Sequence, residues 1–317
     1  MHIAIVGSGG VGGYVGGWLQ QAGARVSFIA RGPHLAALRE QGLRIEHPEW
    51  PLHLPQVQAT DSAAEVGPVD LVIFCVKLFD TEAAARAMQP LLGPQTRVLT
   101  LQNGIDSVAL IRQQVGAQAQ ARVLGGVIYV SAVIDRPGVI RSPGGLHKIV
   151  ADRAEGDPTL AAWAALAQGL PALEVALADA AESVIWEKFV ALAALSGATA
   201  LLRARMGAIL ANPVSRAFQR QLVDEAVAVA LARGIALRDG LADEVMSRLA
   251  AMPPSFRASM AEDLERGHRL ELPWLSGRVH ALGQALGVPT PAHAAVHAGL
   301  VLHAEGAAGA APARPAA

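Results

Sequence analysis

One cysteine, three lysines and two asparagines in 317 residues are the scarcities that constrain this chain most. A lone Cys75 cannot close an internal disulfide, and inside the apolar run Leu71 to Val76 it reads as a buried, inert thiol. Only 17% of residues are charged and the formal net charge is −1, which leaves no footprint for nucleic acid or an anionic membrane. The apolar charge-free stretches Pro158 to Leu173 and Phe189 to Leu202 fall short of the roughly 18–20 apolar residues a bilayer requires, so no membrane span is expected. The first residues, Met-His-Ile-Ala-Ile-Val-Gly, carry no basic segment and no cleavage pattern; they read as a strand, and a cytoplasmic location is expected. What is plentiful is apolar. Hydrophobic residues make up 52% of the chain, which excludes a disordered or fibrous protein, and the length suits two domains of about 100–200 residues.

The apolar pattern alternates between strand and helix through the first half. His2 to Val6 reads as a strand, Gly7 to Gly13 as a turn, Tyr14 to Ala22 as a helix stopped by Gly23, and Arg25 to Ala30 as a second strand. Further strands are expected at Val69 to Val76, Thr96 to Leu101 and Arg122 to Ser131, with helices at Thr81 to Leu92 and Ser107 to Val115. Pro143-Gly144-Gly145 suggests a hairpin over Gly138 to Val150, followed by a helix at Thr159 to Gln168 and a last strand at Val175 to Leu177. Beyond Asp179 only helical periodicity persists, in stretches opening at Ala180, Pro213, Asp239, Ala258, Pro273 and Pro291. The expectation is an α/β Rossmann-type domain with a doubly wound parallel sheet over 1–178, an all-α domain over 179–303, and a disordered Ala/Gly/Pro tail over 304–317.

Gly7-Ser8-Gly9-Gly10-Val11-Gly12 fits G-x-G-x-x-G in the context that gives the motif its meaning, directly after a strand and before a helix. The first glycine permits the tight turn, the second lets a pyrophosphate approach the backbone, and the third packs helix on strand; the helix N-terminus supplies amide donors. The second strand ends Phe28-Ile29-Ala30-Arg31, with a guanidinium where an NAD-binding carboxylate would stand. A guanidinium pairs with a 2′-phosphate that a carboxylate would repel, so NADP(H) is the expected cofactor.

Lysine scarcity adds a second signal. Lys77, Lys148 and Lys188 persist where arginine has otherwise replaced lysine, and lysine can give up a proton that guanidinium keeps. Taken together, the glycine turn, Arg31, Cys75-Val76-Lys77, Gln102-Asn103-Gly104, Trp186-Glu187-Lys188, Ser259-Met260, and Leu270-Glu271 followed by Leu275-Ser276-Gly277 resemble the ketopantoate reductase (2-dehydropantoate 2-reductase) family, over essentially the whole chain to about residue 303. The resemblance implies NADPH-dependent reduction of a 2-keto acid. It makes Lys188 the general acid and Glu271 a catalytic, substrate-orienting carboxylate; it places Lys77 and Asn103 at the nicotinamide end, with Asn103, Ser196 and Ser259 also toward substrate. Hydride delivery builds negative charge on the carbonyl oxygen, which calls for a positioned cation able to release a proton.

The same resemblance marks departures. Leu192 and Ser196 stand where the family usually carries asparagines, and Pro273 and Ser276 replace an Asp and an Asn after the glutamate, so the substrate is expected to be ketopantoate or a related 2-keto acid. Two other readings stay open: a Rossmann dehydrogenase of β-hydroxyacid or opine type, and a non-catalytic NADPH-binding regulator. His293 and His297, four apart, lack a third ligand at motif spacing, so no metal is expected. Trp163, Trp186 and Trp274 read as core anchors. The partner expected is a small molecule, not nucleic acid; a helical second domain is compatible with a homodimer.

Overall fold

The computed structural model describes residues 1–307. Contacts divide the chain into two compact units, Met1–Val184 and a second beginning at Ile185, so that the division falls inside the first turn of the helix Ala181–Leu201.

Twelve strands lie in the first unit: β1 His2–Val6, β2 Arg25–Ile29, β3 Leu43–Glu46, β4 Leu52–Leu54, β5 Gln58–Thr60, β6 Val69–Phe74, β7 Leu92–Thr100, β8 Val123–Tyr129, β9 Val133–Arg136, β10 Val139–Arg141, β11 Lys148–Asp152 and β12 Glu174–Ala178. Eight of them form one sheet in the order β12, β11, β8, β7, β6, β1, β2, β5. Its strands run parallel except where β11 meets β8. Both faces are covered. Ile3, Ile5, Leu71 and Ile73 point into one apolar cluster and Ala4, Val6, Val72 and Phe74 into the other, which is why Ile3 to Val6 and Leu71 to Phe74 are apolar at every position. The chain leaves β1 toward β2 on one side and returns to β6 on the other, giving a doubly wound sheet whose order reverses beside β1.

The other four strands form a smaller sheet, β4, β3, β10, β9. Here the hairpin expected over Gly138 to Val150 is corrected. β10 pairs with β3 and β9, whereas β11 pairs with β8 and β12, so the Pro143-Gly144-Gly145 turn carries the chain from one sheet to the other. Gly144 and Gly145 take φ of +87° and +97°, a left-handed path that a β-branched residue would resist.

The helix Gly10–Gln21 lies between the two sheets, and its composition explains how. A Cβ on Gly12 would sit 2.2 Å from the Gly7 carbonyl oxygen, and one on Gly16 would sit 2.5 Å from the Phe28 ring, both on the large-sheet side. A Cβ on Gly10 would lie 2.2 Å from the Ala132 carbonyl oxygen, on Gly13 3.1 Å from Ile140, and on Gly17 2.8 Å from Ile45, all on the small-sheet side. Gly23, at φ +94°, ends the turn that follows.

The second unit is helical among its described residues: Met206–Ala211, Pro213–Ala232, Leu241–Ala251, Ser259–Glu265, Ser276–Leu286 and Pro291–Leu300 follow the long helix. Asn212 caps Pro213–Ala232 by accepting from the Val214 and Ser215 amides. Pro291–Leu300 is capped from outside, because the buried Glu225 carboxylate accepts from the Ala292 and His293 amides at 2.8 and 3.0 Å. Contrary to the expectation from charge-free runs, Ala181–Leu201 is long and apolar enough to cross a bilayer by length and composition; 61% of its apolar window is buried within the fold, as in a core helix. Ala304, read as the start of the tail, is buried and its carbonyl accepts from Leu270 N; positions 308–317 lie outside the described residues.

Candidate functional site

In the first unit, four neighbouring parallel strands deliver their carboxyl ends to one edge of the sheet: β1 to the glycine turn, β2 to Arg31, β6 to Lys77 and β7 to Asn103. Backbone bonds fix this edge. Ser8 N donates to the Ile29 carbonyl, Cys75 N to Val6 and Leu101 N to Phe74, at 3.1, 2.8 and 3.0 Å. Open sheets of this kind bind ligands at that edge, where the strand order reverses.

The glycine turn divides its labour residue by residue. Gly7 holds φ +92°, and a Cβ there would lie 2.6 Å from Val76 N; Gly12 packs the helix onto the turn. Gly9 differs from both, since a Cβ built on it meets nothing within 4 Å. That open side adjoins the amide end of a twelve-residue helix with no side-chain cap, a geometry fitted to the pyrophosphate of a dinucleotide. Gly10 and Val11 open that helix, and Ser8 is buried with its hydroxyl donating to Ile5 O. Arg31 is exposed at the start of the next helix, and its side chain makes no hydrogen bond or ion pair among the described residues. Lys77 is exposed and Asn103 half-buried.

At this edge His34 escaped the sequence reading, and Gln102, read only as part of Gln102-Asn103-Gly104, was given no role of its own. His34, buried in the helix after Arg31, accepts from the Gly138 amide at Nδ1, which assigns its proton to Nε2. Burial lowers its pKa, the nearby Ser8 backbone opposing that, so the ring is a neutral group that ties the helix after Arg31 to Gly138 at the small sheet. Gln102 is buried and hydrogen-bonded to Val76, Thr81 and Thr100. Neither role is visible in sequence, because the hydrogen-bond partners of each lie in segments distant along the chain.

In the helical unit, Lys188 lies two turns into Ala181–Leu201 and Glu271 just before the short helical turn Leu272–Trp274. Glu271 is buried; Lys188 is partly buried. Desolvation lowers the Lys188 ammonium from the usual lysine range to about 8, against the opposing pull of the Glu271 carboxylate. A lysine so placed is charged at neutral pH and releases its proton readily. Ser196 is buried two turns further along the same helix, Leu192 is half-buried between them, and Ser259 is exposed at the head of Ser259–Glu265. Ser276 is fully buried, its Oγ 2.8 Å from where a Cβ on Gly197 would be, so it fills helix packing.

Features outside these sites have structural roles. Cys75 is half-buried as a residue with its thiol pushed up to about 12 by burial, which leaves it protonated and inert. His293 is fully buried with Nε2 2.9 Å from Leu222 O, and burial lowers its pKa to about 4. No cluster of three metal-binding side chains occurs among the described residues. Trp163 and Trp186 are core anchors, whereas Trp274 is only half-buried.

A Rossmann-type unit with a glycine turn at the carboxyl edge of its sheet, followed by a helical unit holding a lysine–carboxylate pair, defines a two-domain dehydrogenase architecture. Comparison with known proteins gives it a family. The family model described as Ketopantoate reductase PanE/ApbA matches residues 3–155, and that of its C terminal domain matches 180–303; the chain belongs to this family. A 2-dehydropantoate 2-reductase of Halobacterium salinarum is 31% identical over 283 residues, 88% of this chain and 91% of the relative. A PanE/ApbA family ketopantoate reductase from Ralstonia eutropha JMP134 superposes with a TM-score of 0.87 at 34% identity, covering 96% of this chain and 98% of that one. The fold is shared more widely: a D-mandelate dehydrogenase solved with NADH and anilino(oxo)acetate has a TM-score of 0.83 at 24% identity, covering 96% and 98%.

Proposed function

We propose that this protein reduces a 2-keto acid, 2-dehydropantoate or a close analogue, to the 2-hydroxy acid with NADPH. The observation that carries the reading is the pairing of Lys188 with the buried carboxylate of Glu271 in a chain of this family. We assign dinucleotide binding to residues 1–178 and substrate binding to 179–303, in a cytoplasmic enzyme whose partner is the small-molecule substrate.

Gly7, Ser8, Gly9, Gly10, Val11 and Gly12 would hold the pyrophosphate through backbone amides. Arg31 would take the 2′-phosphate, being exposed and without an ion pair among the described residues, and this favours NADPH over the NADH seen with the D-mandelate dehydrogenase. When bound, the dinucleotide supplies a hydride to the carbonyl carbon. Lys77 and Asn103 flank its nicotinamide end. Lys188 holds the substrate carbonyl oxygen and gives it a proton as negative charge develops there. Glu271 keeps Lys188 protonated and orients the substrate, while Ser196 and Ser259 supply hydroxyls. Leu192, one turn beyond Lys188, offers an apolar contact where a donor would select a substrate hydroxyl.

The test is the loss of 340 nm absorbance when NADPH meets ketopantoate and a panel of other 2-keto acids, with NADH as control. Turnover of one or more keto acids with NADPH supports the reading. Tight NADPH binding with no turnover of any would overturn it in favour of a regulator.

A further inference from the structure

We infer that Gln102 is a positioning residue for the cofactor edge, fixing the carbonyls of the residues on either side of Lys77 relative to Asn103. The inference rests on the assignment of Lys77 and Asn103 to the cofactor.

The Gln102 side chain is buried between the ends of β6 and β7 and every polar atom of it is engaged. Its Nε2 donates to the Val76 carbonyl oxygen at 2.9 Å and to Thr81 Oγ1 at 2.8 Å. Its Oε1 accepts from Thr100 Oγ1 at 3.1 Å. A carbonyl oxygen only accepts, so the Val76 bond fixes which way the amide faces. Thr81, having accepted from Gln102, donates its own hydrogen to Leu78 O at 2.7 Å. The proton order therefore runs one way, from Thr100 to Gln102, then to Val76 and Thr81, then from Thr81 to Leu78.

The placement gives the chain its function. Val76 and Leu78 are the residues before and after Lys77, and both of their carbonyls end this network. Gln102 is the residue before Asn103. Leu78 also packs against the next residue, since a Cβ on Gly104 would lie 2.8 Å from Leu78 Cδ2. One buried amide thus joins the backbone on both sides of the lysine to the strand end that carries the asparagine. Buried, fully satisfied networks hold a single arrangement, because a shift of any member strands a donor without water to replace its partner.

Isosteric substitution separates this role from simple packing. Gln102→Glu keeps the shape and puts an acceptor against the Val76 carbonyl; Thr81→Val removes the hydroxyl, and Thr81→Ser restores it. Two readouts are used: hydrogen–deuterium exchange of the 76–81 segment without cofactor, and NADPH affinity by fluorescence titration. Gln102→Glu and Thr81→Val are expected to exchange faster in that segment and to weaken NADPH binding about tenfold. KM for NADPH should rise with kcat changed much less, and Thr81→Ser should behave as wild type. Should Gln102→Glu fail to fold, the Thr81 pair decides. Unchanged exchange and affinity in Thr81→Val, or a Thr81→Ser as impaired as Thr81→Val, would overturn the inference. Wild-type protein that binds no NADPH would overturn the functional reading, and this inference with it.

Discussion

Glu271 raises the proton affinity of Lys188 while burial lowers it, and burial is the stronger, leaving the ammonium with a pKa of about 8. Lys188 therefore carries its proton below that pH and loses it above. Keto acid reduction by the free enzyme should be level through neutral pH and decline above about pH 8 in kcat/KM. Glu271→Gln removes the opposing carboxylate, so the decline should begin at lower pH. Initial rates from pH 6 to 10 at 340 nm decide this; a limb that stays put in Glu271→Gln separates the two groups.

Lys188→Ala should lower kcat by roughly 10²–10⁴ with NADPH still bound, the usual range for a lost general acid. Lys188→Arg should be nearly as poor, because guanidinium keeps its proton. Near-wild-type rates in either variant would remove Lys188 from the mechanism.

The same lysine should be a liability for stability. Its folded pKa lies below its unfolded value, so a cost is present in full below about pH 8 and fades as pH rises toward 10.5. At about 1.4 kcal/mol per unit, the cost is at most about 3.5 kcal/mol. Lys188→Met should therefore raise Tm at pH 7 and raise it less at pH 10, as differential scanning calorimetry would record.

Arg31→Ala should lower the preference for NADPH over NADH by about ten- to a hundredfold, the worth of a charge-assisted bond of roughly 1.5–3 kcal/mol. The NADH rate should barely move. An equal loss with both cofactors would point to a disturbed fold at the end of β2.

Two glycines of one turn should respond in opposite ways. Gly9→Ala places its methyl in open space, so Tm should hold while cofactor affinity falls; Gly12→Ala drives a methyl to 2.2 Å from the Gly7 carbonyl oxygen and should unfold or severely destabilise the first unit. Thermal melts with and without NADPH distinguish the two.

What could be read in the sequence was what is contiguous. The glycine turn, Arg31 and the long helix bearing Lys188 each announce themselves within a few residues, and the scarcity of lysine drew attention to Lys77 and Lys188. The small sheet did not announce itself, because β3 is four residues long and meets β10 some ninety positions later, in the register Arg44 to Val139. The Pro143-Gly144-Gly145 turn looked like a hairpin for the same reason: a turn's residues encode a change of direction and not which sheet receives the chain. Met206–Ala211 is too short for periodicity to declare. The Gln102 network joins the side chains of Thr81, Thr100 and Gln102 to the carbonyls of Val76 and Leu78 across two segments, and only their convergence gives them meaning.

The helix held between two sheets also bears on how this protein can change. At Gly10, Gly12, Gly16 and Gly17 it has room for a hydrogen atom and nothing larger, so those positions are closed to drift and to design alike. Any retuning of cofactor choice must be written at the strand ends around it, where Arg31 stands exposed and a new side chain displaces only water.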